Sequence, residues 1–193
     1  MWNLILVNKD NYLSDNYYVD LTKYQDNEID KRIYVYLDKM INDMIIIGLN
    51  PLIVSAYRTK ERQEYLFNRK VRYYIDNNYN YEDAYELASK WVAIPNTSEH
   101  QTGLALDIVD KSYQELEIEQ ENTATQKWLM NNSYKYGFIL RYPKDKVDIT
   151  NVNYEPWHYR FVGDVAKEIY ENNYCLEEYL IKRKRSILFL KNM

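Results

Sequence analysis

Two histidines, His100 and His158, are the whole imidazole complement of this 193-residue chain, and each stands beside other parts of a hydrolytic metal site. His100 lies in Ser98-Glu99-His100-Gln101-Thr102-Gly103-Leu104-Ala105-Leu106-Asp107, where a loop runs into a strand carrying a carboxylate seven residues on. Gly103 permits a tight turn between the two. Asp107 is embedded in the apolar run Leu106-Asp107-Ile108-Val109, and a carboxylate there is costly to bury unless it is paired or binds a metal. His158 follows Glu155-Pro156-Trp157. The proline disfavours helix at Glu155, so this is not the helical H-E-x-x-H arrangement, and a turn at Pro156 must bring Glu155 and His158 to one point if they cooperate.

Two imidazoles and one carboxylate suit Zn²⁺, with a fourth position left for water as in catalytic sites. Water bound in this way reaches a pKa of about 7. A free carboxylate such as Glu155 could take its proton during attack on a carbonyl and pass it to the leaving amine. The developing oxyanion needs a second positive neighbour, and Arg58, at the end of a buried strand, is the best candidate. The competing account is a pair of structural histidines satisfied by ordinary neighbours; the crowded contexts of both weigh against it.

The elements that must position these groups read as an α+β fold, a small and mainly antiparallel sheet flanked by helices with the zinc site at the sheet. Ile29, Ile33, Leu37, Met40, Ile41, Met44 and Ile45 recur at helical steps from about Glu28 to Gly48. Residues 52–57 read as a buried strand ending at Arg58. Thr59 and Asn80 each open a helix, the first with Gln63, Leu66 and Phe67 facing inward and the second ending near Val92 before Pro95. Residues 104–109 and 138–141 read as strands, and 123–136, closed by Gly137, and 162–172 as helices. No repeat, linker or compositional break divides the chain, so residues 1–193 are expected to form a single domain.

Hydrophobic residues at 46% supply a sizeable core, which excludes wholesale disorder. A net charge of −4 argues against a phosphate-binding surface and hence against nucleic acid as a partner. One cysteine, Cys175, can form neither an internal disulfide nor a cysteine-based zinc site. The first ten residues hold a four-residue apolar run, too short for a signal peptide or a span, so the chain as it stands is expected in the cytoplasm; an export signal preceding it would make it extracytoplasmic. The tail from Lys182 to Arg185 puts four positive charges before the apolar run from Ile187 to Leu190, and is expected to be the solvated end of a docked helix rather than a membrane contact. No heptad or apolar seam compels a dimer.

Beyond these single residues, Ser98 to Asp107 matches the S-x-H-x-x-G-x-A-x-D pattern of the VanY-type zinc carboxypeptidases, and Glu155-Pro156-Trp157-His158 resembles their E-x-W-H element. Ser55-Ala56-Tyr57-Arg58-Thr59 with Gln63 resembles their S-G-Y-R-S block followed by glutamine, with Ala56 in place of the usual glycine. The similarity runs from residues 2–8 through 136–143 to 176–180, nearly the whole chain. It implies an α+β fold, removal of terminal D-alanine from peptidoglycan stems or precursors, zinc held by His100, Asp107 and His158, Glu155 as the base, and Arg58 as the transition-state stabiliser. Gln63, Ser98 and Trp157 align with positions that line such a pocket and are expected to bind substrate. The nearest alternative is a dipeptidase or bifunctional enzyme of the VanXY type, then an L,D-carboxypeptidase on the same scaffold, and in a different class an inactive wall-binding module. Antibiotic resistance, wall maturation and recycling would all use the same reaction.

Overall fold

A computed structural model describes residues 1–191, with side chains through Leu188. Four strands, β3 (Pro51–Ser55), β4 (Ala105–Asp110), β5 (Phe138–Leu140) and β6 (His158–Phe161), form one sheet in the order β3-β4-β6-β5, antiparallel at every pairing. A separate hairpin joins β1 (Leu21–Tyr24) to β2 (Asn27–Asp30).

On one face of the sheet lies α1 (Tyr34–Ile46). Its Leu37, Met40, Ile41 and Met44 stand at the spacing of a single helical face and are at most 1% exposed. They meet Ile53, Leu106, Ile108, Phe138, Tyr159 and Phe161 from the sheet and Leu129 from α4 (Ala124–Asn132). Full burial of each such side chain contributes about 1.5–3 kcal/mol, so this layer fixes the sheet's position. A second cluster packs Leu4 and Ile139 against α6 (Ala166–Glu171) and the start of α7 (Leu176–Lys191). A third, smaller one joins α2 (Lys60–Asp76) to α3 (Tyr81–Ser89) through Phe67, Val71, Ala84 and Ala88. Between β5 and β6 runs a single helical turn, α5 (Val147–Thr150).

Thr59 and Asn80 cap α2 and α3 as their sequence positions predict, accepting from the backbone N–H groups of Arg62 and Asp83. The helix expected from Glu28 begins only at Tyr34. Residues 27–30 are strand β2, and a 3-10 turn over Lys31–Ile33 leads into α1, with Asp30 accepting from the Arg32 N–H. Ile29 does face the core, but through the hairpin, whose turn places Gln25 at φ 53°. The helices expected over 123–136 and 162–172 each include a 3-10 turn, over Ser133–Tyr136 and Gly163–Val165. In the basic tail, Ile181, Ile187 and Leu188 are exposed on α7; the side chains of Phe189 and Leu190 lie outside the described residues. Among the described residues no helix is long and apolar enough to cross a membrane.

Candidate metal centre and active site

Side chains alternate across a strand, so β4 sends Leu106 and Ile108 into the α1 core and Asp107 to the opposite face. Register then does the rest. Asp107 lies directly across from His158 on β6, and Ala105 across from Arg160, so Asp107, His158 and Arg160 share the face away from α1. On the other side, Asp107 is the cross-strand partner of Ser55, just past an irregularity in β3.

His100 arrives from a 3-10 turn over Glu99–Thr102 that ends at Gly103 with φ +70°. A side chain at Gly103 would stand 2.8 Å from the backbone nitrogen of Asp30, so both the left-handed backbone and the close approach of the hairpin require glycine. The His100 Nδ1 is 2.7 Å from the carbonyl of Ala56, which leaves Nε2 directed at Asp107, 3.2 Å from Oδ2. The turn required at Pro156 is present: the His158 N–H donates to the Glu155 carbonyl at 3.2 Å, and Glu155 Oε2 lies 3.6 Å from His158 Nδ1. That same Nδ1 is 3.2 Å from Asp107 Oδ1.

One ligand atom from each of His100, Asp107 and His158 therefore falls within 4.8 Å of the others, all three residues being buried. Ligands about 2.0–2.1 Å from one tetrahedral ion stand roughly 3.3 Å apart, close to the 3.2 Å imidazole–carboxylate separations on both sides of Asp107. Asp107 Oδ1 is buried without a hydrogen-bond partner, as an oxygen reserved for a cation would be. The donor set thus fits a divalent metal.

The electrostatics agree. Burial alone would raise the Asp107 carboxyl, but His100 and His158 overturn that and hold it far below the carboxylate range. Burial likewise works to neutralise His158, yet the facing carboxylates of Asp107, first, and Glu99 lift it to about 9. The site is built to hold positive charge between those groups, from a proton or from a metal. His100 is pushed down, by burial first and then by Arg58, which keeps it a neutral donor. Glu155 is raised to about 8, chiefly by burial and against the pull of His158, which places a carboxyl able to exchange a proton beside the three side chains that could hold a metal.

Arg58 extends over the same wall. Its Nη2 lies 3.6 Å from Asp107 Oδ2 and donates to Ser55 Oγ at 2.7 Å, while Nη1 donates to Gln63 Oε1 at 2.8 Å. Gln63 is fully buried and gives its own amide to the Ala93 carbonyl at 2.6 Å, so the structure places it behind Arg58. Ser98 and Trp157, both at most 5% exposed, line a cleft of about 570 Å³ together with Arg58, Glu155 and the His100, Asp107 and His158 group, and with Leu66 and Lys70 from α2.

The comparison with protein families matches residues 26–164 to the VanY family of D-alanyl-D-alanine carboxypeptidases. The chain belongs to that family. A D-alanyl-D-alanine carboxypeptidase of Enterococcus faecalis is 43% identical over 185 residues, which are 95% of this chain and 67% of the relative. Across the curated VanY-like relatives it matches, the chain spans between 46% and 67% of their own length. Among solved structures, VanYB in complex with D-alanine-D-alanine superposes with a TM-score of 0.86 at 43% identity, covering 93% of this chain and 98% of that one. A glutamate-to-alanine mutant of a vancomycin-resistance VanY D,D-pentapeptidase in complex with Zn(II) gives 0.85 at 43% identity, covering 93% and 99%. The α+β architecture expected from the sequence is the VanY architecture.

Of the predicted site residues, His100, Asp107, His158, Glu155 and Arg58 converge, Ser98 and Trp157 line the cleft beside them, and Gln63 stands one contact back. Sequence reasoning passed over Glu99, which is 1% exposed and lies 3.7 Å from His158 Nε2. Its only signal was its place between two motif residues. Arg141 and Arg160 are both ion-paired to Glu99.

Proposed function

We propose that this VanY-family chain is a zinc-dependent D,D-carboxypeptidase that removes the C-terminal D-alanine from peptidoglycan stem or precursor pentapeptides. The observation that carries the reading is the convergence of two imidazoles and an otherwise unpartnered carboxylate oxygen beside a glutamate held near neutral pKa, on the floor of one cleft. His100, through Nε2, Asp107, and His158, through Nδ1, would hold the metal. Bound there, zinc supplies Lewis acidity and lowers the pKa of water.

The remaining work belongs to the chain. Glu155 accepts a proton from the attacking water and returns it to the leaving amine, a role suited to a carboxyl whose burial has moved it to about 8. Arg58, fixed by Ser55 and Gln63, presents its guanidinium where the carbonyl oxygen gains charge. Gln63 thus serves substrate binding through Arg58, and Ser98 and Trp157 form the walls. The D-alanine-D-alanine held by the VanYB relative supports the substrate class.

The test is metal analysis together with assays on a pentapeptide ending in D-Ala-D-Ala, on free D-Ala-D-Ala and on a tetrapeptide. The expected result is one zinc per chain, turnover of the pentapeptide and loss of turnover on chelation. Undiminished hydrolysis in chelated protein, or activity confined to the dipeptide or the tetrapeptide, would overturn it.

A further inference from the structure

Behind the three ligand side chains lies the most deeply buried charge cluster described in the molecule. Glu99, Arg141 and Arg160 are at most 1% exposed, and Glu177, in the first turn of α7, is 8% exposed. Arg141 Nε donates to Glu99 Oε1 at 2.8 Å, and Arg160 Nη1 lies 2.8 Å from the same oxygen. Arg141 spends its two terminal nitrogens on Glu177, at 2.9 and 2.7 Å. Arg160 gives its other donors to the carbonyls of Asn3, Ile5 and Phe161.

Removing such charges from water is expensive, and the cost is offset only where each polar atom finds a partner. Glu99 Oε1 has two. Glu99 Oε2 makes no hydrogen bond within the usual distance, and neither does His158 Nε2, although both are fully buried and lie 3.7 Å apart. They face each other. His158 thereby differs from His100, whose Nδ1 is committed to a backbone carbonyl and whose Nε2 faces Asp107. The two rings present opposite nitrogens to the ligand cluster, and each is oriented by a different group behind it.

We propose that Glu99 is a positioning residue for the metal: its Oε2 keeps the His158 proton on Nε2, so that Nδ1 offers its lone pair toward Asp107, and Arg141 and Arg160 hold Glu99 in that pose. A carboxylate behind a ligating imidazole fixes the tautomer and ring orientation and strengthens the donor. The inference rests on the zinc reading above but concerns a residue outside the ligand set. Glutamine could not replace Glu99 in this role. With its carbonyl turned to the two guanidiniums, its amide would face Nε2 donor to donor.

Because the chain has two histidines, its ¹⁵N imidazole spectrum is readily assigned. In the zinc-loaded protein, His158 should carry its proton on Nε2 and His100 on Nδ1. Glu99→Gln should weaken zinc binding, measured by chelator competition, by about 10–100-fold with an unchanged far-UV spectrum. Glu177→Gln, which neutralises the far partner of Arg141 without touching His158, should leave zinc affinity within about threefold. A His158 proton on Nδ1, a Glu99→Gln zinc affinity within about threefold of wild type, or an equal loss in Glu177→Gln would overturn the proposal. If Glu99→Gln does not fold, the wild-type tautomers still decide it. Wild-type protein that binds no zinc would overturn the functional reading and this inference together; zinc-dependent turnover in wild type with an indifferent Glu99→Gln would overturn this inference alone.

Discussion

The cleft has two unlike walls. The sheet wall carries Asp107, His158 and Glu155, all at most 6% exposed, and β4 contributes six consecutive buried residues. The opposite wall is α2 with α3, held together by a small cluster of four buried side chains, and it shows the cleft half-buried Leu66 and Lys70 and exposed Arg69 and Tyr73. On the sheet wall, backbone pairing fixes each functional side chain against its neighbour. On the helical wall, position depends on side-chain packing and on polar ties such as Gln63 to Arg58 and to the Ala93 carbonyl. Chemistry that tolerates little displacement sits where the ladder holds it, and the surface a longer substrate would reach sits where it can vary with little cost to that chemistry.

The sharpest way to break this contrast is on the sheet wall. Glu155→Ala should lower kcat by about 10²–10⁴-fold while zinc content stays at one per chain. Loss of the metal in that variant would make Glu155 a ligand and not a base, and metal analysis beside steady-state kinetics separates the two. Next in size is Arg58→Ala, on the border between the walls. It should cost about 10²–10³-fold in kcat with a smaller change in KM, because its charge is needed most when the carbonyl oxygen is negative. A change confined to KM would reduce Arg58 to a ground-state anchor for the substrate carboxylate.

Much of the sheet wall was legible in the sequence, for a physical reason. An aspartate within an apolar strand advertises an unusual partner, and Glu155 before a proline forces the turn that brings it to His158. What stayed hidden were relations that pattern does not encode. Strand β2 falls inside the helix expected from about Glu28, since Ile29 and Ile33 stand at helical spacing with Leu37 and the Gln25-Asp26 turn lacks the glycine that marks tight hairpins. Glu99 was passed over because a glutamate in a polar loop is ordinarily solvated, and only the fold brings Arg141 and Arg160 onto it. Gln63 was visible as a motif residue, but its direction, toward Arg58 and away from the cleft, depends on where α2 docks.

That docking supplies the next test. Gln63→Ala removes one of two side-chain acceptors that hold the Arg58 guanidinium and also frees the Ala93 carbonyl. A hydrogen bond to a charged group is worth about 1.5–3 kcal/mol, of which the Ser55 contact retains a share, so kcat should fall roughly tenfold, less than in Arg58→Ala. If Gln63 works only through Arg58, the double variant should be no slower than Arg58→Ala alone. Additive losses in that cycle would give Gln63 an independent contact with substrate.

The smallest effect belongs to the helical wall itself. Lys70 Nζ lies 5.1, 5.4 and 5.9 Å from the rings of Tyr73, Tyr74 and Trp91, and burial, then the charge of Arg69, lowers its pKa. A partly desolvated ammonium among aromatic rings, on a wall of the same cleft as Glu155, can meet the part of a stem peptide that precedes the terminal dipeptide. Lys70→Ala should raise KM for a pentapeptide by about two- to fivefold and leave kcat nearly unchanged, the signature of binding lost equally in ground and transition states. If the sheet wall holds the terminal dipeptide by itself, the same variant should handle free D-Ala-D-Ala as wild type does. An equal KM change for both substrates would mean that α2 positions the metal end of the cleft after all, and the division of labour between the two walls would fall.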